Sequence, residues 1–255
     1  MRRQIQLMLL LLCAGGGLVA APAARAVPSH GLSIRPEVMD IGTFYSGDVL
    51  TISGEVPSGQ DVIIEITGPA ADNQFDIKGK VGPFWMTQDK AEMDGAPTMY
   101  ILLLPGGPEW VPKASAQGLG LETLKSKVQI QSTSLSADDF FNMFVKLKKD
   151  QGLYEEEENA VTYTAADDGN KRFSAVYRFP RATSAGNYAI SATTIADGIR
   201  ATVRTTVLKV DEIGFIRLVD SLATNRRLAY GILAVIIALF TGAVMGLLFK
   251  GGGSH

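Results

Sequence analysis

The sequence predicts a mainly β protein: an Ig-like antiparallel β-sandwich with a helical insertion, followed by one C-terminal transmembrane helix. Three observations lead there. Short runs alternating apolar with polar residues recur between residues 32 and 210, separated by Gly, Pro and Asp turn signals. Residues 115–153 depart from that alternation and carry helical spacing. Tyr230 to Phe249 then run twenty residues without a charge, enough for a helix of roughly 30 Å, the hydrocarbon thickness of a bilayer.

At the N-terminus, Arg2 and Arg3 precede an apolar run from Leu7 to Leu12, and small residues lead to Ala24-Arg25-Ala26. A basic start, a short apolar segment and an A-x-A site predict a secretory signal peptide over residues 1–26. Gly15 to Gly17 interrupt the apolar stretch, against an uncleaved anchor, and Leu12 is too bulky before Cys13 for a lipoprotein site. The expected topology places residues 27–210 in the periplasm as the β domain. An amphipathic juxtamembrane stalk over 211–229, a transmembrane helix over 230–249 and a cytoplasmic tail over 250–255 follow. That is a single-pass protein of a bacterial inner membrane.

Within the domain, Leu32 to Arg35, Val49 to Ile52 and Asp61 to Thr67 have strand alternation, with turns at Ser46-Gly47-Asp48, Pro57-Ser58-Gly59 and Gly68-Pro69. Gln74 to Ile77, Phe84 to Met86 and Thr98 to Leu104 are further short strands, ended by Gly106-Gly107-Pro108. In the insertion, Gln117 to Val128 reads as one short helix. A second helix starts at Ser136 as N-cap, with Asp139 reaching back. Its Phe140, Phe141, Phe144 and Leu147 form one apolar face, Lys146, Lys148 and Lys149 suit its C-terminal dipole, and Gly152 stops it. Strands return at Val161 to Thr164 and Arg172 to Phe179 around Asp167-Asp168-Gly169-Asn170. They return again at Asn187 to Thr194 and Ala201 to Val210 around Asp197-Gly198; both linkers are hairpin turns. One sandwich split by the insertion is the reading; two small β subdomains bridged by helices are the alternative.

Composition excludes several functions. Loss of residues 1–26 leaves 21 basic against 26 acidic residues, the wrong sign for a nucleic-acid partner. The single cysteine leaves with the signal, so the domain has no disulfide, thiol nucleophile or Cys-based metal site. Histidine is limited to His30 and His255, no G-x-S-x-G is present, and Gly106-Gly107-Pro108 lacks the G-K-[ST] of a phosphate cradle. Glu155 to Glu158 lack the alternating Asp/Asn and glycine of a calcium loop and read as a solvated loop. No catalytic, cofactor-binding or metal residue is expected.

Two features remain as interaction sites. In the anchor, Ala234, Ala238, Gly242 and Gly246 follow at four-residue steps, a small-residue face on which a second helix packs. Phe84, Trp85 and Trp110 form a partner-binding patch if exposed; packing in the core or at a sheet edge is the simpler reading. In the stalk, Ile213, Ile216 and Val219 recur at three-residue spacing. An amphipathic helix on the membrane or against the domain, and a rigid extension of the anchor, both fit. Arg226 and Arg227 on the expected outer flank, against Lys250 inside, depart from the positive-inside tendency, although long domains translocate largely regardless of charge.

The segments FYSGDVLTISGEVPSGQDVIIEITGP (44–69), GPFWM (82–86), FFNMFVKLKKDQGLYEEEENAVTY (140–163), RFSAVYRFP with GNYAISATTIADG (172–198) and the stretch from Gly214 to Lys250 carry a family resemblance. The chain resembles the putative alpha-proteobacterial transmembrane protein family, across nearly the whole mature length. The resemblance implies an exported, C-terminally anchored protein, often encoded beside permeases of the TauE/SafE sulfite-exporter type, and no catalytic residues. The expected function is a non-enzymatic accessory or structural subunit. It would dock an integral membrane partner, such as a sulfite or anion permease, or self-associate through its helix. Two alternatives stay open: a periplasmic ligand- or protein-binding module merely tethered to the membrane, and an enzyme using carboxylates or a metal.

Overall fold

The computed structural model describes residues 31–132, 135–166, 169–214, 217, 224 and 227–249. The expected signal peptide and cytoplasmic tail lie outside the described residues, as do most positions of the expected stalk between 215 and 226.

The chain is mainly β. Two sheets face each other across a shared core. The first holds β1 (Ser33–Arg35), β3 (Val49–Pro57), β11 (Asn170–Arg178) and β10 (Val161–Ala165), in the order β1-β3-β11-β10. The second holds β2 (Val38–Ile41), β13 (Ile199–Glu212), β12 (Gly186–Ala196), β4 (Asp61–Thr67), β7 (Tyr100–Leu103) and β9 (Tyr154–Glu157), in the order β2-β13-β12-β4-β7-β9. If β1, β3, β4, β10, β11, β12 and β13 are taken as strands A to G, these orders become A-B-E-D against G-F-C, the strand order of an immunoglobulin-type sandwich. Tyr188, near the start of β12, donates its hydroxyl to the Ser184 carbonyl at 2.8 Å, four residues upstream. That is the tyrosine corner such sandwiches carry at this strand.

Alternation sets the core. Leu50 and Ile52 of β3, Phe173, Ala175 and Tyr177 of β11, Tyr188 and Ile190 of β12, and Leu208 and Val210 of β13 all point inward and are buried. Two small departures from the expected antiparallel sandwich occur at its edges. β2 pairs with β13 in parallel, and β9 pairs with β7 in parallel. The first arises because the chain crosses from one sheet to the other between β1 and β2, at the cis Arg35–Pro36 bond. The second follows from the insertion, which leaves β7 at Leu103 and carries the chain back to the Tyr100 end before β9 begins.

The insertion is longer and more strand-rich than the sequence suggested. β4 and β7 do not close at a short turn. Their ladder runs on through Gly68 N–H to the Met99 carbonyl (2.8 Å) and Thr98 N–H to the Pro69 carbonyl (2.8 Å). It continues as β5 (Ala70–Val81) and β6 (Phe84–Pro97), an antiparallel pair of 12 and 14 residues. Gln74–Ile77 and Phe84–Met86, expected as separate short strands, are parts of this one hairpin. β8 (Gln129–Ser132) joins β6 to make a third sheet, β5-β6-β8.

The helices also differ. Gln117–Val128 is not one helix: Gly118 and Gly120 take positive φ and break it. Instead α1 (Trp110–Ala116) comes first, followed by one turn, α2 (Leu121–Leu124), that tightens into a 3₁₀ turn over Lys125–Lys127. α3 (Ala137–Asp150) forms where expected. The Ser136 hydroxyl oxygen accepts from the Asp139 N–H at 3.1 Å and donates to Asp139 Oδ2 at 2.7 Å. Asp139 thus reaches back to the cap's hydroxyl. Phe140, Phe141 and Phe144 are buried, whereas Leu147 is partly exposed. α1 covers the outer face of the six-stranded sheet, closing a small second core of Ile63, Leu102, Leu104, Leu119 and Ile195 with Trp110.

Residues Arg227–Phe249 form α4, a 23-residue helix, roughly 35 Å long at 1.5 Å per residue. It begins at Arg227, so the last residues of the expected stalk belong to it. Among the described residues, no helix is long and apolar enough to cross a membrane.

Candidate functional site

The sequence directs attention to α4, the aromatic residues and the acidic run, and the structure separates them. Ala234, Ala238, Gly242 and Gly246 all lie on α4, whose described side chains are exposed. A side chain added at Gly242 or Gly246 would meet nothing within 4 Å, so a partner backbone could approach there closely. Four-residue steps rotate by about 40° each on a helix, so the four positions trace a ridge inclined to the axis rather than a straight seam. Ridges of that kind pack at right-handed crossings of about −40°, the geometry of G-x-x-x-G pairs.

The three candidate aromatics do not form one patch. Trp110 is buried in the second core, 6% exposed, with the Lys113 ammonium 4.4 Å above its ring. It holds α1 to the sheet and is withdrawn as a partner-binding residue. Phe84 and Trp85 are the reverse case, at 68% and 71% exposed. The simpler reading, packing in the core or at a sheet edge, fails for both, because the hairpin carries them away from the sandwich. Met86 and Val81 beside them are more than half-exposed and half-exposed, respectively.

The turn that presents them is Gly82-Pro83. Gly82 has φ +61° and Val81 pairs with Phe84. Proline cannot take positive φ, so this two-residue loop with glycine first is the type II′ pattern, whose twist suits a hairpin. The hairpin is fixed at its lower half by aromatic contacts. Phe75 of β5 lies edge-on to Phe140 (5.7 Å between centroids) and Phe144 (5.9 Å), and Phe144 is edge-on to Tyr154 at 5.6 Å. Tyr154 then donates its hydroxyl to the Pro97 carbonyl at 2.7 Å. An open apolar groove of about 330 Å³ lies between the hairpin and α3, over Phe75, Ile77, Leu135, Met143 and Leu147.

The acidic run is not a solvated loop. Glu155 to Glu157 belong to β9, and their side chains alternate between its two faces. Glu156 Oε1 accepts the Leu121 N–H at 2.8 Å, and the Tyr100 hydroxyl oxygen accepts the Gly120 N–H at 2.8 Å. The two side chains thereby satisfy the start of α2. Burial, reinforced by the Glu65 carboxylate, holds the Tyr100 phenol far above its ordinary range and therefore protonated. Burial and then Glu155 raise the Glu157 carboxyl, and burial lowers the Lys148 ammonium. Beside α2, a shallow pocket of about 470 Å³ is lined by Val111, Ser115, Leu119, Gly120, Glu122 and Glu156. Its Ser115 shares the lining with the carboxylates of Glu122 and Glu156, the latter engaged by the Leu121 N–H. The two histidines lie outside the described residues.

Sequence reasoning missed the hairpin and the tyrosine corner. The corner was legible as Tyr188 at the head of an apolar strand, following the Ser184-Ala185-Gly186 turn. The hairpin was signalled by Gly82-Pro83 between two runs that were each read separately.

A family model described as "Putative transmembrane protein (Alph_Pro_TM)" matches residues 31–251. No curated protein matches the chain.

Proposed function

Since this chain belongs to that transmembrane-protein family, we propose that it is a non-enzymatic accessory subunit of a membrane assembly. In this reading α4 is a single transmembrane span. The sandwich stands on the periplasmic side after removal of residues 1–26, and the Ala234, Ala238, Gly242 and Gly246 ridge docks an integral membrane partner. A permease of the sulfite or anion type, implied by the family resemblance, is the first candidate.

The observation that carries the proposal is α4 itself. Its sequence holds twenty residues without a charge, Tyr230 to Phe249, and its described side chains find no cover in the domain. A helix with this apolar surface is stable where its surroundings are apolar. The small-residue ridge then supplies the close approach that lipid-embedded helices use in place of a hydrophobic driving force.

The test is purification of the full chain in mild detergent with quantitative mass spectrometry, beside Gly242→Leu and Gly246→Leu. One integral membrane protein should be retained in fixed proportion by the wild type and lost from both variants. Recovery of the chain with no membrane partner would overturn the proposal. Retention by both leucine variants would remove the ridge from it.

A further inference from the structure

The hairpin tip does more than expose aromatic residues. Val81 pairs with Phe84, Lys80 with Trp85 and Gly79 with Met86. Cross-strand partners share a face and successive pairs alternate. Trp85 therefore projects from one face of the ribbon, and Val81, Phe84 and Met86 from the other. All four are at least half exposed, from 50% to 71%. A flat protein surface would cover one of these faces and leave the other in water. An apolar medium covers both.

Charge along the hairpin is graded in the same direction. Its outer face bears Asp72, Asp76 and Glu92 with Lys90 nearer the base, and Lys78 and Lys80 without an acid next to the apolar end, all exposed. From Lys80 to the turn is two to three residues, or roughly 7–10 Å at strand rise. That matches the 5–10 Å to which interfacial segments sink below the headgroups. Pro83 has no N–H, and β5 and β6 satisfy each other's inward-facing groups up to a two-residue turn. Among the described residues their outer edges have no partner strand at this level, since β8 pairs β6 only over Ala91–Asp94, which confines the tip to the interface, where headgroups and water still reach.

Register also places the root of the hairpin. Thr67, at the end of β4, pairs with Ala189, which pairs with Val207, and Gly186 pairs with Val210. A Cβ on Gly186 would lie 2.7 Å from Pro69. The hairpin thus springs from the sandwich end where β13 delivers the chain toward α4, with only residues 213–226 between. The two points of departure are two strand spacings apart, roughly 10 Å.

We infer that the Val81–Met86 tip inserts into the interface of the bilayer that holds α4, with Lys78 and Lys80 against anionic headgroups. The domain then touches the membrane at two places, which fixes its tilt over the partner. This rests on the membrane reading of α4, so the two are read out separately.

The full chain is reconstituted in vesicles of phosphatidylcholine and phosphatidylglycerol, with or without bromine on the acyl chains. The sequence has two tryptophans, so subtracting the emission of Trp85→Phe from that of the wild type isolates Trp85. Bromolipid should clearly lower the Trp85 emission, because the indole, level with its cross-strand partner Lys80, sits at the boundary between headgroups and upper acyl chains while Phe84 lies deeper. Aqueous iodide should quench it little. The bromolipid effect should shrink in pure phosphatidylcholine and in Lys78→Glu/Lys80→Glu, which retains the strand positions. Iodide quenching without bromolipid quenching would overturn the inference. Shielding from both quenchers would also overturn it, by showing a protein contact instead. Equal bromolipid quenching with and without the lysines would overturn the headgroup assignment. Resistance of the same vesicles' protein to alkaline carbonate extraction reports α4 alone, so loss of the anchor and loss of the tip contact are distinguishable.

Discussion

Phe144→Ala tests whether the third sheet is held to the sandwich as described. Phe144 is 2% exposed and stands between Phe75 of the hairpin and Tyr154 of β9, at centroid separations of 5.9 and 5.6 Å. Truncating a buried phenylalanine costs about 3–5 kcal/mol, from lost transfer free energy and the cavity left behind. Each edge-on aromatic pair adds about 0.5–1.5 kcal/mol beyond the buried area, so the upper part of that range is expected. A domain of this kind has about 5–15 kcal/mol in total, and the variant should therefore fold but unfold at clearly lower urea. Met143→Ala is the matched control: it is the neighbouring residue on the same helix, 59% exposed, and should shift stability by no more than about 0.5 kcal/mol. Urea unfolding of the full chain in mild detergent, followed by tryptophan emission, gives both numbers. Hydrogen exchange should also quicken at Ala91 to Asp94 and Gln129 to Ser132, where β6 pairs with β8. A double variant with Phe75→Ala should fall short of additivity by about the pair energy. A Phe144→Ala cost no greater than that of Met143→Ala would refute the placement of the hairpin on α3.

Two further outcomes follow from buried polar groups. The Thr98 hydroxyl is buried with no hydrogen-bond partner, so Thr98→Val should stabilise by about 1 kcal/mol in the same urea assay; a loss of stability would mean the hydroxyl is bonded. Glu157 has its pKa raised by burial and by Glu155. The sign follows from linkage: the folded state binds the proton more tightly, so stability is full below the ordinary glutamate pKa and is lost as pH rises through the raised one. Glu157→Gln should therefore raise the melting temperature at pH 7, with the difference closing on acidification below the ordinary value. A difference that stays constant with pH would show that charge is not its cause.

The two halves of the hairpin are held differently. Its lower half is tied down by Phe75, Phe140, Phe144 and the Tyr154–Pro97 hydrogen bond, while its tip packs on nothing in the domain. The groove over Phe75, Met143 and Leu147 lies beside the hairpin.

What the sequence determined by itself was local. Alternation placed β3, β4, β11, β12 and β13, because each has one face in the shared core and the period of two is written in the residues. Ser136 and Asp139 marked the start of α3, and Asp197-Gly198 the last hairpin turn; Asp197 and Gly198 both take positive φ there. The uncharged stretch in α4 and the family were legible for the same reason: they are properties of contiguous residues. The tertiary structure alone decided which apolar residues are covered. Trp85 and Trp110 have the same chemistry and lie in similar contexts of Gly and Pro. One ended under α1 and the other at the end of a hairpin, because burial depends on what packs against a residue from elsewhere in the chain. The joining of β4 to β5 and β6 to β7 into one ladder was hidden for a related reason. Pairing partners far apart in sequence, such as Ala70 with Pro97, are selected by the core they jointly cover, and no window along the chain contains that information.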